Sequence, residues 1–366
     1  MLKVLASFAV AGTLLAITAM AAGSQTPGPT AGELLASGLQ GSIGGVIGPD
    51  GALYVPEGAT GEITRVDPNS GATSTFASGL PPAPFGGAID VAFVGDTAYA
   101  LVTLVDVSGI YRMDGAASFT VIADIGAFAA DNLPPYPVDV PAGLQYALEL
   151  IDGGFVVSDG HHNRIYHVTM AGVVTELISF SNVVPTGLAV DNGTLYFTEI
   201  GPVPHVPSDG KVLSLSLSNP RASDVASGYS LIVDVEVGPD GELYALSQGD
   251  SPGEVPPASP AAPDSGKLLR VNDDGTFTVL VDGMDLPTTL VFAGDDALIV
   301  TLNGEVWQVD GASGLKPVTP GGPVIAPPSA GSGGLAAYRA ATTATFVAVV
   351  VAIAGGLALM WRRVAA

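Results

Sequence analysis

The chain has 366 residues, with 35 acidic against 12 basic side chains, a net charge of −23 and no cysteine. Such a surface repels nucleic acid, which excludes nucleic-acid partners, and the missing thiols exclude disulfide staples and cysteine chemistry. A body of this length buries an adequate core without such staples.

Residues 1–21 carry one cation (Lys3), an apolar run and the small-residue site Ala19-Met20-Ala21. That order predicts a secretory signal peptide, with an uncleaved N-terminal anchor as the alternative. From residue 32 onward the sequence repeats itself. IGPDGALYVPEG at 47–58 returns as VGPDGELYALSQ at 237–248, with looser copies at 91–102, 148–160, 188–201 and 290–303. Each copy joins two apolar runs through an Asp/Gly or Asn/Gly reversal, which is the signature of a tight hairpin. A third strand follows in each unit (EITRVDP, GIYRMDG, NRIYHVT, KVLSLSL, KLLRVND, EVWQVDG), and a fourth in most, such as TSTFASG and SFTVIAD.

Aligned points fall at Gly44, Asp90, Tyr146, Gly187, Asp234 and Thr289, five steps over 289 − 44 = 245 residues, or a mean of 49. Six four-stranded units at that period predict an all-β fold, a six-bladed β-propeller over residues 32–312. The sixth unit lacks an outer strand, while GELLASGL at 32–39 resembles the outer strands TSTFASGL and TVLVDGM. The N-terminal segment is therefore expected to pair into the last blade and close the ring, leaving only short protected edges.

Residues 313–341 form a Pro/Gly/Ser-rich tether, and 342–361 (TTATFVAVVVAIAGGLALMW) carry no charge. Twenty apolar residues at about 1.5 Å each span a bilayer core of about 30 Å. Trp361 marks the interface, and Arg362-Arg363 open a cytoplasmic tail at 362–366. The expected protein is an extracytoplasmic propeller held to the cytoplasmic membrane by a C-terminal helix.

In blades with strands a to d, the a–b and c–d turns share one face and are short here. The b–c and d–a connections share the other and hold the long loops 80–87, 125–143, 201–209 and 249–264. Long loops concentrate function, so this face is the expected surface for a protein or small-molecule ligand. It offers Phe85, Phe128 and Tyr136 with Asp131, Asp139, Asp250, Glu254 and Asp264. Near the axis, Glu57, Asp159 and Glu199 end strand b in three blades, and Asp90 and Asp234 enter strand a in two others. Five carboxylates at one channel mouth supply oxygen ligands for a divalent cation such as Ca²⁺, with Asp90 and Asp234 the metal candidates. Without a metal, such a group acts as acid or base; the structural alternative is that each caps backbone N–H groups. His161 and His162 beside Asp159 form a candidate transition-metal set, with a solvated loop as its alternative. No nucleophile elbow, phosphate loop or zinc-protease motif occurs.

The phrases GPDGALYVPEG, GGFVVSDGHHNRIYHV and GPDGELYAL resemble the NHL-type and gluconolactonase/regucalcin-like six-bladed propellers. Among these the chain is most similar to the ScyD/ScyE family, secreted bacterial propellers named for a scytonemin biosynthesis cluster. The resemblance covers roughly residues 32–312 and rests on turn and core positions. The gluconolactonase-like members imply a divalent metal in the central channel, held by carboxylates and asparagines. The six aligned positions here contain no asparagine, a departure that weighs against lactonase activity. The leading expectation is a binding or scaffolding module using the loop-rich face. The alternatives are a metal-dependent hydrolase or lactonase, and an accessory protein in secondary-metabolite biosynthesis.

Overall fold

The computed structural model describes residues 32–83, 86–203, 205–252 and 260–318. Their strands form six four-stranded antiparallel sheets, the blades of a propeller. Blade 1 runs from Val46–Ile47 to Thr73–Ala77 and blade 2 from Gly87–Val94 to Ser118–Asp124. Blade 3 runs from Gln145–Ile151 to Val174–Ser179, and blade 4 from Pro185–Asp191 to Asn219–Tyr229. Blade 5 spans Ile232–Val237 to Phe277–Met284. Blade 6 takes Pro287–Ala293, Asp296–Thr301 and Glu305–Val309 from the end of the body and Glu33–Ser37 from its start.

That last pairing closes the ring as the sequence predicts. Leu34 lies opposite Trp307 and Ser37 opposite Glu305 in an antiparallel ladder. The second strand of each blade is covered on both faces by neighbouring blades, so Leu53–Glu57 and Gly154–Asp159 are buried along their whole length. Outer strands face water, and Thr73–Ala77 is mostly exposed.

The repeated GPDGxLY phrase acts as one hairpin unit. Asp50 accepts the Ala52 N–H at 3.1 Å and the Tyr54 hydroxyl at 3.2 Å, and Asp240 takes Glu242 and Tyr244 in the same way. A side chain at Gly48 or Gly238 would run into that tyrosine ring, so the first glycine makes room for the ring that the aspartate then anchors.

A feature of every inner strand is absent from the sequence pattern. Register shifts fall between Ala88 and Asp90, Gln145 and Leu148, Pro185 and Leu188, Ile232 and Asp234, and Pro287 and Thr289. Blade 1 shows the same extra residue, since Ser42 faces Glu57 while Val46 faces Tyr54. Counted back from the a–b turns, Gly44, Asp90, Ala147, Gly187, Asp234 and Thr289 stand at one level, so among the aligned points only that of blade 3 shifts, from Tyr146 to Ala147. A bulge inserts a residue without changing composition, so periodicity does not register it.

Part of the 125–143 loop is helical. Ile125–Asp131 forms a short helix whose cap, Asp124, accepts the Ala127 N–H at 2.8 Å, and Ile125 and Ala129 bury one face of it. Among the described residues no helix is long and apolar enough to cross a membrane. The expected signal peptide, most of the tether, the 342–361 span and the tail lie outside the described residues.

The closing strand makes a direct test possible. A chain beginning at Gln40 loses the pairing to Glu305–Val309 and the buried Ala36 and Leu39. At about 3 kcal/mol for that apolar burial, its Tm by circular dichroism is expected to fall by roughly 10 °C relative to a chain beginning at Ala31. An unchanged Tm would contradict the closure.

Candidate functional site

The inner strands line a central cavity of about 200 Å³. Exposure along these strands rises toward the a–b turns. Ile43, Tyr146 and Leu148 are buried, Ile47, Phe93, Glu149 and Glu236 are half-buried, and Leu150 is exposed. The channel therefore opens on the tight-turn face. At the loop-rich end it is closed by buried Tyr146, Ile200, His205 and Leu231.

Asp90 and Asp234 belong to blades 2 and 5, three blades apart on a six-fold ring, and both line the cavity. Asp90 Oδ1 accepts the Val91 N–H at 2.8 Å, and its Oδ2 accepts the Leu148 N–H of blade 3 at 2.7 Å. Asp234 takes the Val235 N–H at 3.0 Å, and the Thr289 hydroxyl and Leu290 N–H of blade 6 at 2.9 and 2.7 Å. On the other side, a Cβ at Gly44 or Gly187 would collide with Asp90 Oδ1 or Asp234 Oδ1. Each aspartate is thus seated against a glycine of the preceding blade and bonded to the backbone of the next.

Two further carboxylates complete the channel. Glu149 and Glu236 line the same cavity, and among the described residues no lysine or arginine does. Burial pushes the Asp90 carboxyl up to about 8, although the Leu148 and Val91 N–H bonds oppose the shift and the Asp234 charge adds to it. Burial likewise raises Asp234 to about 7 against its hydrogen bonds. Glu149 is raised to about 8 by burial and then by the Asp90 and Asp234 charges. Glu236 is pushed well above the ordinary range by burial and by Asp234, Glu149 and Asp90. The two glutamates are half-buried and walled by protein, so like charges there are poorly screened. Their signal in sequence was weak: an acid on a half-buried strand reads as an ordinary solvent-facing residue.

The other predicted site residues do not join this group. Glu57 accepts the Gln40 N–H at 2.6 Å and the Thr64 hydroxyl at 2.5 Å. Glu199 ends its strand opposite Pro185 and Lys211, and burial raises its carboxyl to about 7. Asp159, fully buried, accepts the N–H groups of Leu144, His161 and His162 at 3.0, 3.1 and 2.9 Å and the Tyr166 hydroxyl at 2.9 Å.

Above Asp159 the two histidines hold the 132–143 segment through the backbone of one residue, Val140. The Val140 N–H donates to His161 Nε2 at 3.2 Å, and His162 Nε2 lies 3.0 Å from the Val140 carbonyl. Burial lowers the pKa of both rings, keeping them neutral for these bonds. Arg164, which the sequence pattern places only in a strand, is buried here. Its guanidinium reaches Glu176 at 3.2 Å and His162 Nδ1 at 3.4 Å and lies over the Tyr166 ring. Tyr136 donates to the His162 carbonyl at 2.7 Å, and Phe128 packs edge-on against Tyr166. Phe85 and Glu254 lie outside the described residues. Among the described residues, no group of three or more His, Asp or Glu side chains is placed to hold a metal ion.

No family model matches the chain, and no curated protein matches it. Solved structures do. A PQQ-bound aldose sugar dehydrogenase from Streptomyces coelicolor is 15% identical, with a TM-score of 0.55 over 76% of this chain and 97% of that one. A gluconolactonase from Xanthomonas campestris is 13% identical, with a TM-score of 0.53 over 75% and 87%. A luciferin-regenerating enzyme is 12% identical, with a TM-score of 0.55 over 80% and 98%. At these identities the likeness shows the fold alone, a β-propeller.

The channel electrostatics set a pH dependence. Folded carboxyls raised to about 7 and 8 hold protons that the unfolded chain, titrating near 4, has lost. Their contribution is fully present below about pH 4 and is lost as pH rises through 7 to 8. Tm is therefore expected to drop by roughly 5 °C between about pH 5 and pH 8.5 in low salt. The double substitution Glu149→Gln and Glu236→Gln should shrink that drop; an identical pH profile would show that the channel acids do not cause it.

Proposed function

We propose that the protein is a binding module, an extracytoplasmic propeller tethered to the membrane by its 342–361 helix, whose ligand site is the central channel. The ligand is a small organic cation. One observation carries this reading: the cavity is lined by Asp90, Glu149, Asp234 and Glu236, with no basic residue among the described ones to balance them. Val46, Ile47, Phe93 and Leu150 line the same cavity toward its mouth, so an ammonium group bearing a short apolar substituent matches both parts. The volume of about 200 Å³ is below that of a drug-sized site and suits a compact ligand. This places recognition on the tight-turn face, opposite the loops that the sequence favours. The ScyD/ScyE resemblance, with its role outside the cytoplasm, accords with the predicted leader and anchor and with an accessory part in secondary-metabolite assembly.

A second reading, a metal-dependent hydrolase or lactonase, draws on the same carboxyls, because groups titrating near 7 to 8 exchange protons at neutral pH. It requires ligand oxygens closer together than the described residues provide.

Isothermal titration of the full chain in detergent with tetramethylammonium separates the two readings. Saturable binding is expected, weakened at least about tenfold by Glu149→Gln with Glu236→Gln. No binding, together with lactone turnover that requires Ca²⁺, would replace the first reading with the second. The anchor is tested independently: removing residues 342–366 should shift the protein from the membrane fraction to the medium, and retention in the membrane would refute it.

A further inference from the structure

Behind Tyr146, at the loop-rich end of the channel, lies a second void of about 10 Å³. That is roughly the space one water molecule requires. Its wall includes two buried polar side chains, His205 at 6% exposure and Gln248 at 2%. Neither ring nitrogen of His205, nor the Gln248 Nε2, has a hydrogen-bond partner among the described residues. The Gly201 and Pro202 carbonyls face the His205 ring without completing a hydrogen bond to it. Thr186, also in the wall, already shares its hydroxyl with Thr198 at 2.8 Å. Tyr146 makes only a long bond, 3.4 Å, to the Thr288 carbonyl.

Buried polar atoms without partners are rare and costly, and the usual resolution is an ordered water. The chemistry here matches one. A neutral imidazole presents one acceptor nitrogen and one N–H, and the Gln248 amide presents N–H groups; the two side chains make no direct bond, so a molecule that both donates and accepts is needed to join them. We infer that a single buried water molecule occupies this void, donating to His205 and accepting from Gln248, and that it completes the seal between the channel and the loop-rich face. Burial keeps the ring unprotonated, which preserves the acceptor nitrogen. The Tyr146 hydroxyl is the remaining polar neighbour for the water's second hydrogen. Sealed in this way, the acidic channel is blind, and solutes reach Asp90 and Asp234 only from the tight-turn face. The inference does not depend on what the channel binds.

Two experiments on the intact protein test it. A high-resolution crystal structure should show one water within hydrogen-bond distance of both His205 and Gln248. An empty void, or a direct bond between the two side chains, overturns the inference. In thermal melts, His205→Leu and Gln248→Met should each lower Tm, because either alone strands the water and the remaining partner. The double variant removes both needs, so its loss should be clearly smaller than the sum of the two. Strictly additive losses would mean that no shared water joins them.

Discussion

The inner strand of each blade is a sheet edge facing the axis, and its outward N–H groups must find acceptors where no further strand is available. Much of the structure follows from how two aspartates meet that need. Asp90 gives its oxygens to the Leu148 N–H of the next blade and to its own strand, and Asp234 does the same with Leu290 and Thr289. Backbone helps directly at one point, where the Gly44 N–H reaches the Ile89 carbonyl at 2.8 Å. The carboxylates can come this close only because Gly44 and Gly187 leave their Cβ positions empty. The glycines, the aspartates and the bulges that set their level form one device, used twice on opposite sides of the ring.

That device has an electrostatic cost. A buried carboxylate is stabilised by the N–H groups it accepts and destabilised by lost water, and here the second effect is larger at both aspartates. Adding Glu149 and Glu236 to the same channel makes full ionisation unfavourable, since each charge raises the cost of the next. Structural bonding accounts for the aspartates. It does not account for Glu149, whose carboxylate takes no hydrogen bond from the described residues, and a stability argument alone would favour a neutral side chain there. On the proposed reading, a bound cation would supply the compensation for Glu149 that the described residues do not.

The ring itself was legible in the chain because its determinants are local and repeated. Asp-Gly reversals, apolar second strands and the outer strand missing from the sixth unit each follow from a short stretch, and together they specify six blades and their closure. The channel was only half legible. Asp90 and Asp234 stand out because they interrupt apolar runs, whereas Glu149 and Glu236 sit in strands that alternate normally. Assigning them to the channel requires the bulge count, a property of pairing rather than of composition. Glu57, Asp159 and Glu199 looked equivalent to the aspartates for the opposite reason. They share a position along strand b, but that strand lies behind the channel wall, where the Gln40 and Leu144 N–H groups hold the first two.

The same geometry explains why loop length is a poor guide to the open face here. Long connections on the b–c and d–a side have enough residues to fold back over the axis, and described parts of two of them do. The Ile125–Asp131 helix docks against blade 3, the Val140 backbone is clasped by His161 and His162, and the 201–209 loop brings His205 down onto Tyr146. The aromatic side chains Phe128 and Tyr136 are occupied in that closure, whereas Asp131 and Asp139 stay exposed. The a–b turns are too short to reach the axis. Gly48 to Gly51 and Gly238 to Gly241 reverse the chain at the rim, with their aspartates spent on Tyr54 and Tyr244. Nothing on that side among the described residues covers the channel, so the plainest turns in the sequence frame its mouth.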